Sequence, residues 1–406
     1  MVNQRDLNLL LKGKAPADPV LLKEMTVGTE RLTDFLSGQY LGDYIPNGGS
    51  KIKFITGRPG SGKSHVSGLL LAEAAQKGYR TVSFSAKEVR LDDFREIYLE
   101  VLSQCDIEQV LQGCAAVIIR EMGYDPSDIP EGKNFMDILS ERNEADPISR
   151  GEIRGMLRKF FTKNPVLDNN FASCCSLLCG GILGHPVLEP ANRELLMSYL
   201  KGDKSVKLPL LRALGLSPQR ITKFNARYLL RSLSEVVHLS GCPGLVIRIE
   251  DMEQLLNRSS EGIIRYTRLR REDTYESIRQ LIDDIDEMHH IMFLLVFDRE
   301  LMENDSYGMK SYQALWMRVQ SEVVSTRFNC FADIIDLDRY AEECYGMDAL
   351  CEMAVKLSET LQKQGIPAKT LEREEADKLA ERAAFGGLGL PYLVNRAIVP
   401  EGVTNE

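Results

Sequence analysis

The sequence predicts an α/β fold: a parallel sheet with helices on both faces, a large helical insertion and a C-terminal helical lid domain. Three observations predict it. A strand-like run at 51–56 enters a glycine-rich loop, then an apolar-periodic helix and a second strand, a unit that calls for parallel pairing. Two later apolar runs, at 245–249 and 291–297, each end in acidic residues, as strands do when their carboxyl ends line a site. Between the second and third strands lies a long, mainly helical stretch, far more chain than one crossover needs.

Taken in order, residues 1–50 contain short amphipathic pieces and end in the turn-rich Pro46-Asn47-Gly48-Gly49-Ser50. From 63 to 76, Val66, Leu69, Leu70 and Ala74 recur at helical spacing, and Gly78 closes that helix before a strand at 80–85. Breaks at Asp146-Pro147, Asn164-Pro165, His185-Pro186 and Ser217-Pro218 punctuate an insertion of roughly 105–222, and a helix at 223–239 leads back to the sheet. Ile278, Leu281, Ile282, Ile285 and Met288 mark one helix face. A buried strand follows at 291–297, then a helix at 311–324 and a short last strand at 333–337. Residues 338–399 read as helical, punctuated by Gly365 and Gly386-Gly387-Leu388-Gly389. The predicted units are 1–50, an N-terminal segment packing on the core; 51–337, the sheet domain with its insertion; and 338–406, the lid.

Composition bounds the function. With 50 Lys and Arg against 59 Asp and Glu, the net charge is −9, which excludes whole-surface attraction to nucleic acid or anionic membrane. No apolar run is long enough to span a bilayer and the first residues lack a signal-peptide pattern, so a cytoplasmic protein is expected. Nine cysteines, an odd number in a chain of 406 residues, fit reduced thiols better than a disulfide framework. Cys174, Cys175 and Cys179, near His185, supply only half of a zinc pattern and are read as a buried helix face.

Gly57-Arg58-Pro59-Gly60-Ser61-Gly62-Lys63-Ser64 fits G-x-x-x-x-G-K-[ST] in full. Glycines let the backbone curl so that successive N–H groups point at phosphates, and the helix that starts near Lys63 adds its positive end. Lys63 is expected on the β- and γ-phosphates and the Ser64 hydroxyl on Mg²⁺, with His65 completing the cofactor-binding run. ATP and Mg²⁺ are the expected cofactors, and the fold class narrows to a P-loop NTPase, AAA+/ASCE-like.

Phosphoryl transfer also needs a second anchor for the metal and a group that orients water. Glu250 and Asp251 end the strand at 245–249; Glu250 is expected to reach the metal and Asp251 to act on water. The usual order is Asp then Glu, so Asp251 is one methylene short, and Glu253 is a second choice of base. Asp298, ending the strand at 291–297, is a candidate sensor of the γ-phosphate. Arg318, on the helix of Trp316, is a candidate arginine finger toward a neighbouring subunit, with Arg327 an equal contender. Arg396 is a candidate nucleotide contact from the C-terminal helices. Basic residues gather at Arg258, Arg265, Arg268, Arg270 and Arg271, diluted by Glu261, Glu272 and Asp273, and again at Arg212, Arg220, Lys223, Arg227 and Arg231. A DNA groove and a solvated or intersubunit face both remain open readings of these clusters.

Several segments in order resemble the AAA+-type ATP-binding proteins of bacterial bacteriophage-exclusion (BREX) loci. They are Val27-Gly28 with Arg31, Tyr199-Leu200-Lys201-Gly202, 211–215, 229–251, 275–283 and 311–316. The resemblance spans about 27–399. It implies phage defence, with partner proteins encoded nearby and action on DNA, double-stranded DNA being the candidate form; homo-oligomers formed through the ATPase domain are expected alongside it. It carries nucleotide binding onto Lys63 and Ser64 and the acidic metal and water roles onto Glu250 and Asp251. The chain departs from it in the order of that acidic pair and at Pro391-Tyr392, where Pro-Arg is expected. Expected, then, is an AAA+-like ATPase, with a weakly or non-hydrolysing nucleotide switch or scaffold as the alternative. A small-molecule kinase is disfavoured by the long insertion and the helical C-terminus.

Overall fold

A computed structural model of the chain describes residues 2–256, 264–323 and 328–400; Arg258, Glu261 and Arg327 lie outside the described residues. Five strands form one sheet: β1 (Ser50–Gly57), β2 (Arg80–Ser85), β3 (Leu245–Glu250), β4 (Ile291–Asp298) and β5 (Ile334–Asp336). Every pairing is parallel, in the order β2-β3-β4-β1-β5. β4 therefore stands between the strand that feeds the glycine loop and the strand that ends in Glu250. Two inter-strand spacings, about 9.5 Å, separate those two ends, with the tip of β4 at Asp298 between them.

Period-two alternation sends side chains to the two faces. Phe54, Phe84, Ile247, Phe293 and Leu295 point to one face, packed against helices Phe94–Gln104, Ile107–Glu121 and Ala226–Leu239. Ile55, Val246, Leu294 and Ile335 point to the other, against Val66, Leu70 and Ala74 of helix Lys63–Gln76 and against Leu32, Leu36 and Leu41. β4 is buried on both faces until Asp298, which is why it reads as a continuous apolar run. Lys53 is fully buried in β1; its ammonium donates to the Phe331 and Ala332 carbonyls at 3.0 and 2.6 Å, which satisfies the charge inside the sheet.

The chain between β2 and β3 is helical, as its sequence predicts, and its apolar residues continue the cluster on the first sheet face. Cys174, Cys175 and Cys179 lie in that continuation on helix Asn169–Leu183, and burial pushes their thiols up. The helix expected at 223–239 begins at Ala226, because Asn225 accepts from the Thr222 N–H at 2.8 Å and holds 222–225 as a capped turn.

A third cluster joins the two ends of the described chain. Leu7, Leu10 and Leu11 of helix Gln4–Leu11 and Leu21 of helix Pro19–Glu24 pack with Leu350, Leu357 and Leu361 of helix Met347–Lys363. Helices Arg373–Phe385 and Leu390–Ile398 complete it through Leu379 and Val394. Asn395 pins the arrangement by donating from Nδ2 to the Leu10 carbonyl at 2.8 Å. No helix among the described residues is long and apolar enough to cross a membrane.

Candidate functional site

The glycine loop connects β1 to helix Lys63–Gln76 at the carboxyl edge of the sheet. Gly60 and Gly62 have φ of +79° and +93°, a region where a side chain is strained, so the loop can curl over its own amides only with glycine there. Lys63 sits at the helix start. Its ammonium contacts Asp298 Oδ1 at 2.8 Å and donates to the Gly57 and Arg58 carbonyls at 3.2 and 2.9 Å. Gly57 and Asp298 are register partners across β1 and β4, so the strand pairing itself brings this lysine and carboxylate together.

Glu250 ends β3 beside the loop. The Ser64 hydroxyl donates to its carboxylate, and Arg248 Nη2 lies 3.1 Å from Oε2. Burial holds the Glu250 carboxyl above its usual range despite the opposing pull of Arg248. Asp251 follows with φ of +56°, which turns it toward β2. There it accepts from Ser85 Oγ at 2.6 Å and from Lys87 Nζ at 2.7 Å. Burial pushes the Asp251 carboxyl up, but Lys87 and Ser85 outweigh it and hold the group below its usual range. Glu253, on the turn Met252–Leu256, faces the other way. Its Oε2 accepts from the Asp298 N–H at 3.4 Å, and burial with the neighbouring Asp298 charge raises its carboxyl. Lys63, Ser64, Glu250, Glu253 and Asp298 thus converge, while Asp251 is engaged by Ser85 and Lys87.

A cavity of about 730 Å³ opens from this group, lined by Lys14, Gly60, Gly62, Lys63, Ser64, His65, Arg248, Glu250, Asp251, Tyr392 and Asn395. Beside it lies a smaller, mainly apolar cleft between Val27, Val66, Tyr345, Met353, Pro391 and Val394. His65 and Asn395 border both. The Thr26 hydroxyl donates to the Leu22 carbonyl, so at 2.9 Å it accepts from His65, and the histidine proton is on Nε2. Burial lowers the His65 value to about 4 and keeps the ring neutral. Two polar atoms of residues that line this cleft, Thr29 Oγ1 and Asn395 Oδ1, are buried without a hydrogen-bond partner. An apolar slot edged by spare acceptors fits a purine with an exocyclic amine, and the adjoining glycine loop fits its phosphates.

The C-terminal helices grip the loop from outside. The Arg58 N–H donates to Asp338 Oδ2 at 2.7 Å, and Arg58 Nη1 donates to the Gly386 carbonyl at 2.8 Å and to the Ala383 carbonyl. The Gly389 and Tyr392 N–H groups donate to the Pro59 and Gly60 carbonyls at 2.8 and 3.2 Å. Asp338 also meets Arg299 Nη2 at 3.2 Å, which links the lid to the tip of β4. Ser61 is buried in the loop.

Two sequence-predicted residues lie apart. Arg396 is exposed on helix Leu390–Ile398, and Tyr392 and Asn395 from the same helix line the cavity instead. Arg318 lies toward the amino edge of the sheet, near Ser50 and Asp333, and is bidentate to Asp283 at 2.8 Å. Sequence reasoning missed Lys14, Lys87, Arg248, Asn395 and Thr29 as site residues. Lys87 and Arg248 carried usable signals, one standing just past the end of β2 and the other two residues before Glu250; Lys14, Asn395 and Thr29 are brought in by packing of distant segments. Among the described residues no group of three or more His, Cys, Asp or Glu could hold a metal. Ser64 and Glu250 could supply two protein ligands to a magnesium ion that takes its remaining oxygens from phosphates and water.

No curated protein and no solved structure matches the chain. The model of one protein family, BREX system ATP-binding protein BrxC/D, matches residues 4–399, nearly the whole sequence and both ends of the site. The chain belongs to the family of BREX system ATP-binding proteins BrxC/D.

Proposed function

We propose that the chain is an AAA+-like P-loop NTPase that binds Mg-ATP, oligomerises through its sheet domain and acts with other defence-system proteins on DNA. The observation that carries this reading is the meeting of Lys63, Ser64, Glu250, Glu253 and Asp298 at the ends of three adjacent parallel strands. In it, the amides of 60–64 and Lys63 hold the phosphates, and Ser64 and Glu250 hold the metal. Bound Mg²⁺ would supply charge neutralisation at the β- and γ-phosphates. Glu253, buried and beside Lys63 and Asp298, orients water. Thr29, His65 and Asn395 receive the base. Arg318 cannot serve its own cavity from the far edge of the sheet, so its role is toward a neighbouring subunit's nucleotide. We divide the chain into a segment at 1–50, a sheet domain at 51–337 carrying the insertion, and a lid at 338–406.

The test is Mg-ATP binding and phosphate release by wild type and Lys63→Ala, with mass photometry in both nucleotide states. Loss of binding in the variant and nucleotide-dependent oligomers are expected. Equal binding by both proteins, or a monomer throughout, would overturn the reading. A second reading, a nucleotide switch with little hydrolysis, is favoured by the engagement of Asp251 with Ser85 and Lys87. Phosphate release well above the Lys63→Ala background excludes it.

A further inference from the structure

Residues 201–231 contain eight Lys and Arg and one acid, Asp203, within a chain of net charge −9. Their fold keeps the charges on the surface. Arg220 Nη1 donates to the Lys204 carbonyl at 3.0 Å, Asn225 Nδ2 to the Arg220 carbonyl at 3.0 Å, and the Tyr199 hydroxyl to the Gln219 carbonyl at 2.9 Å. These bonds gather 199–204 and 219–225 into one surface. Lys201, Lys204, Lys207, Arg212 and Arg220 are exposed and form no ion pair with another described residue. Lys223, Arg227 and Arg231 have carboxylates only at 3.9, 3.5 and 3.8 Å, from Asp273, Asp284 and Glu287. For the exposed Lys223 such a separation contributes little.

Two aromatic rings stand in this basic field. Phe224 is 75% and Tyr228 55% exposed. Phe224 stands on the capped turn that leads into helix Ala226–Leu239, and Tyr228 lies in the first turn of that helix. Lys223 lies over the Phe224 ring at 5.5 Å and Arg231 over the Tyr228 ring at 5.7 Å. Arg227 covers the Phe94 ring at 5.6 Å, at the head of the helix that follows β2 and Lys87. The surface therefore borders the segment leaving the nucleotide edge of the sheet.

Spare cations explain phosphate binding, but they give no reason to leave two rings in water. A partner with both backbone phosphates and accessible base faces satisfies both features. A duplex presents phosphates but keeps its base faces stacked, so it would leave the rings idle. We propose that the surface of Lys201, Lys204, Arg220, Lys223, Phe224 and Tyr228 binds single-stranded nucleic acid, the rings stacking on bases and the cations pairing with phosphates. This deepens the proposed action on DNA by naming the strand form and the residues, and it does not depend on the chemistry at Lys63.

The test is a fluorescence-anisotropy titration of full-length protein with labelled dT30, rU30 and a 30-base-pair duplex, lengths chosen to exceed roughly one site of 4–16 nucleotides. The two single strands separate a DNA from an RNA source. Phe224→Ala/Tyr228→Ala is expected to weaken single-strand binding by about 25-fold or more, since each stacked base contributes roughly 5- to 150-fold. Lys201→Gln/Lys204→Gln/Lys223→Gln is expected to flatten the plot of log affinity against log salt by about 2, at roughly 0.7 per lost phosphate contact. A fluorescent ATP analogue should bind all variants as it binds wild type, which separates failure here from failure of the nucleotide reading. The proposal is overturned if wild type binds neither single strand. It is equally overturned if the aromatic variant keeps wild-type affinity, or if it changes oligomer mass without changing nucleic-acid binding, the result for a second copy of the chain on this face.

Discussion

Replacing Asp298 by Asn should make the chain bind ATP more tightly. In the structure the Asp298 carboxylate holds Lys63 at 2.8 Å, with side-chain exposures of only 24% and 11%. A triphosphate must take the lysine from this partner and then sit beside the same negative charge. At an effective dielectric of about 20, two unit charges at that distance attract by roughly 6 kcal/mol before desolvation is subtracted. Lys63 keeps its bonds to the Gly57 and Arg58 carbonyls in either case, so only the carboxylate contact changes. A hydrogen bond to a charged group is worth about 1.5–3 kcal/mol net, which corresponds to roughly 10- to 150-fold in Kd. Asn preserves the size and a weaker carbonyl acceptor. Isothermal titration with Mg-ATP and a non-hydrolysed analogue reads the change, and the gain should shrink as salt rises. An unchanged or weaker affinity would refute the reasoning, because it would mean that Asp298 does not compete for Lys63.

Glu253→Gln should cut phosphate release by about 10²-fold or more while leaving ATP binding in place, whereas Asp251→Asn should change it by under about tenfold; steady-state release assays separate the two carboxylates. Arg58→Ala removes the contacts with the Gly386 and Ala383 carbonyls and Asp338 Oδ1, and should loosen the lid by about 2–4 kcal/mol, seen as faster amide exchange confined to 373–398. His65 is held neutral with its value lowered to about 4 from 6.5, so the unfolded chain binds the extra proton. Its stabilising share is complete above about pH 6.5 and falls through the window down to 4, by at most about 2 kcal/mol at pH 5. Urea midpoints of His65→Gln should drop less between pH 7 and 5 than those of wild type.

The strands and the glycine loop were legible because each has a local cause: an apolar run at strand length, or glycines where the backbone must turn left-handed. All five expected strands are present, and the acids at their carboxyl ends meet as parallel pairing requires. What could not be read was the facing of neighbours in sequence. Asp251 and Glu253 are two residues apart, yet the left-handed Asp251 sends one toward Lys87 and the other toward Asp298. Asp298 illustrates the converse: its place was legible from strand register, but its partnership with Lys63 depends on which rotamer the lysine adopts. Arg396 and Asn395 show a one-residue helical step deciding which side chain lines a cavity. The cleft around Thr29, Met353 and Val394 was beyond reach, since it joins segments with no local sequence relation.

Leu10 and Asn395 stand 385 positions apart, and the apolar cluster around them is built from both stretches. A ribosome moving at about 5–20 residues per second needs roughly 20–80 s to travel between them. During that interval the sheet can form, but helix Gln4–Leu11 lacks its packing partners from 347–399 and the cleft beside the glycine loop lacks one wall. On the proposed reading, nucleotide capture is therefore a property that the chain acquires only once Asn395 and its helix have been made.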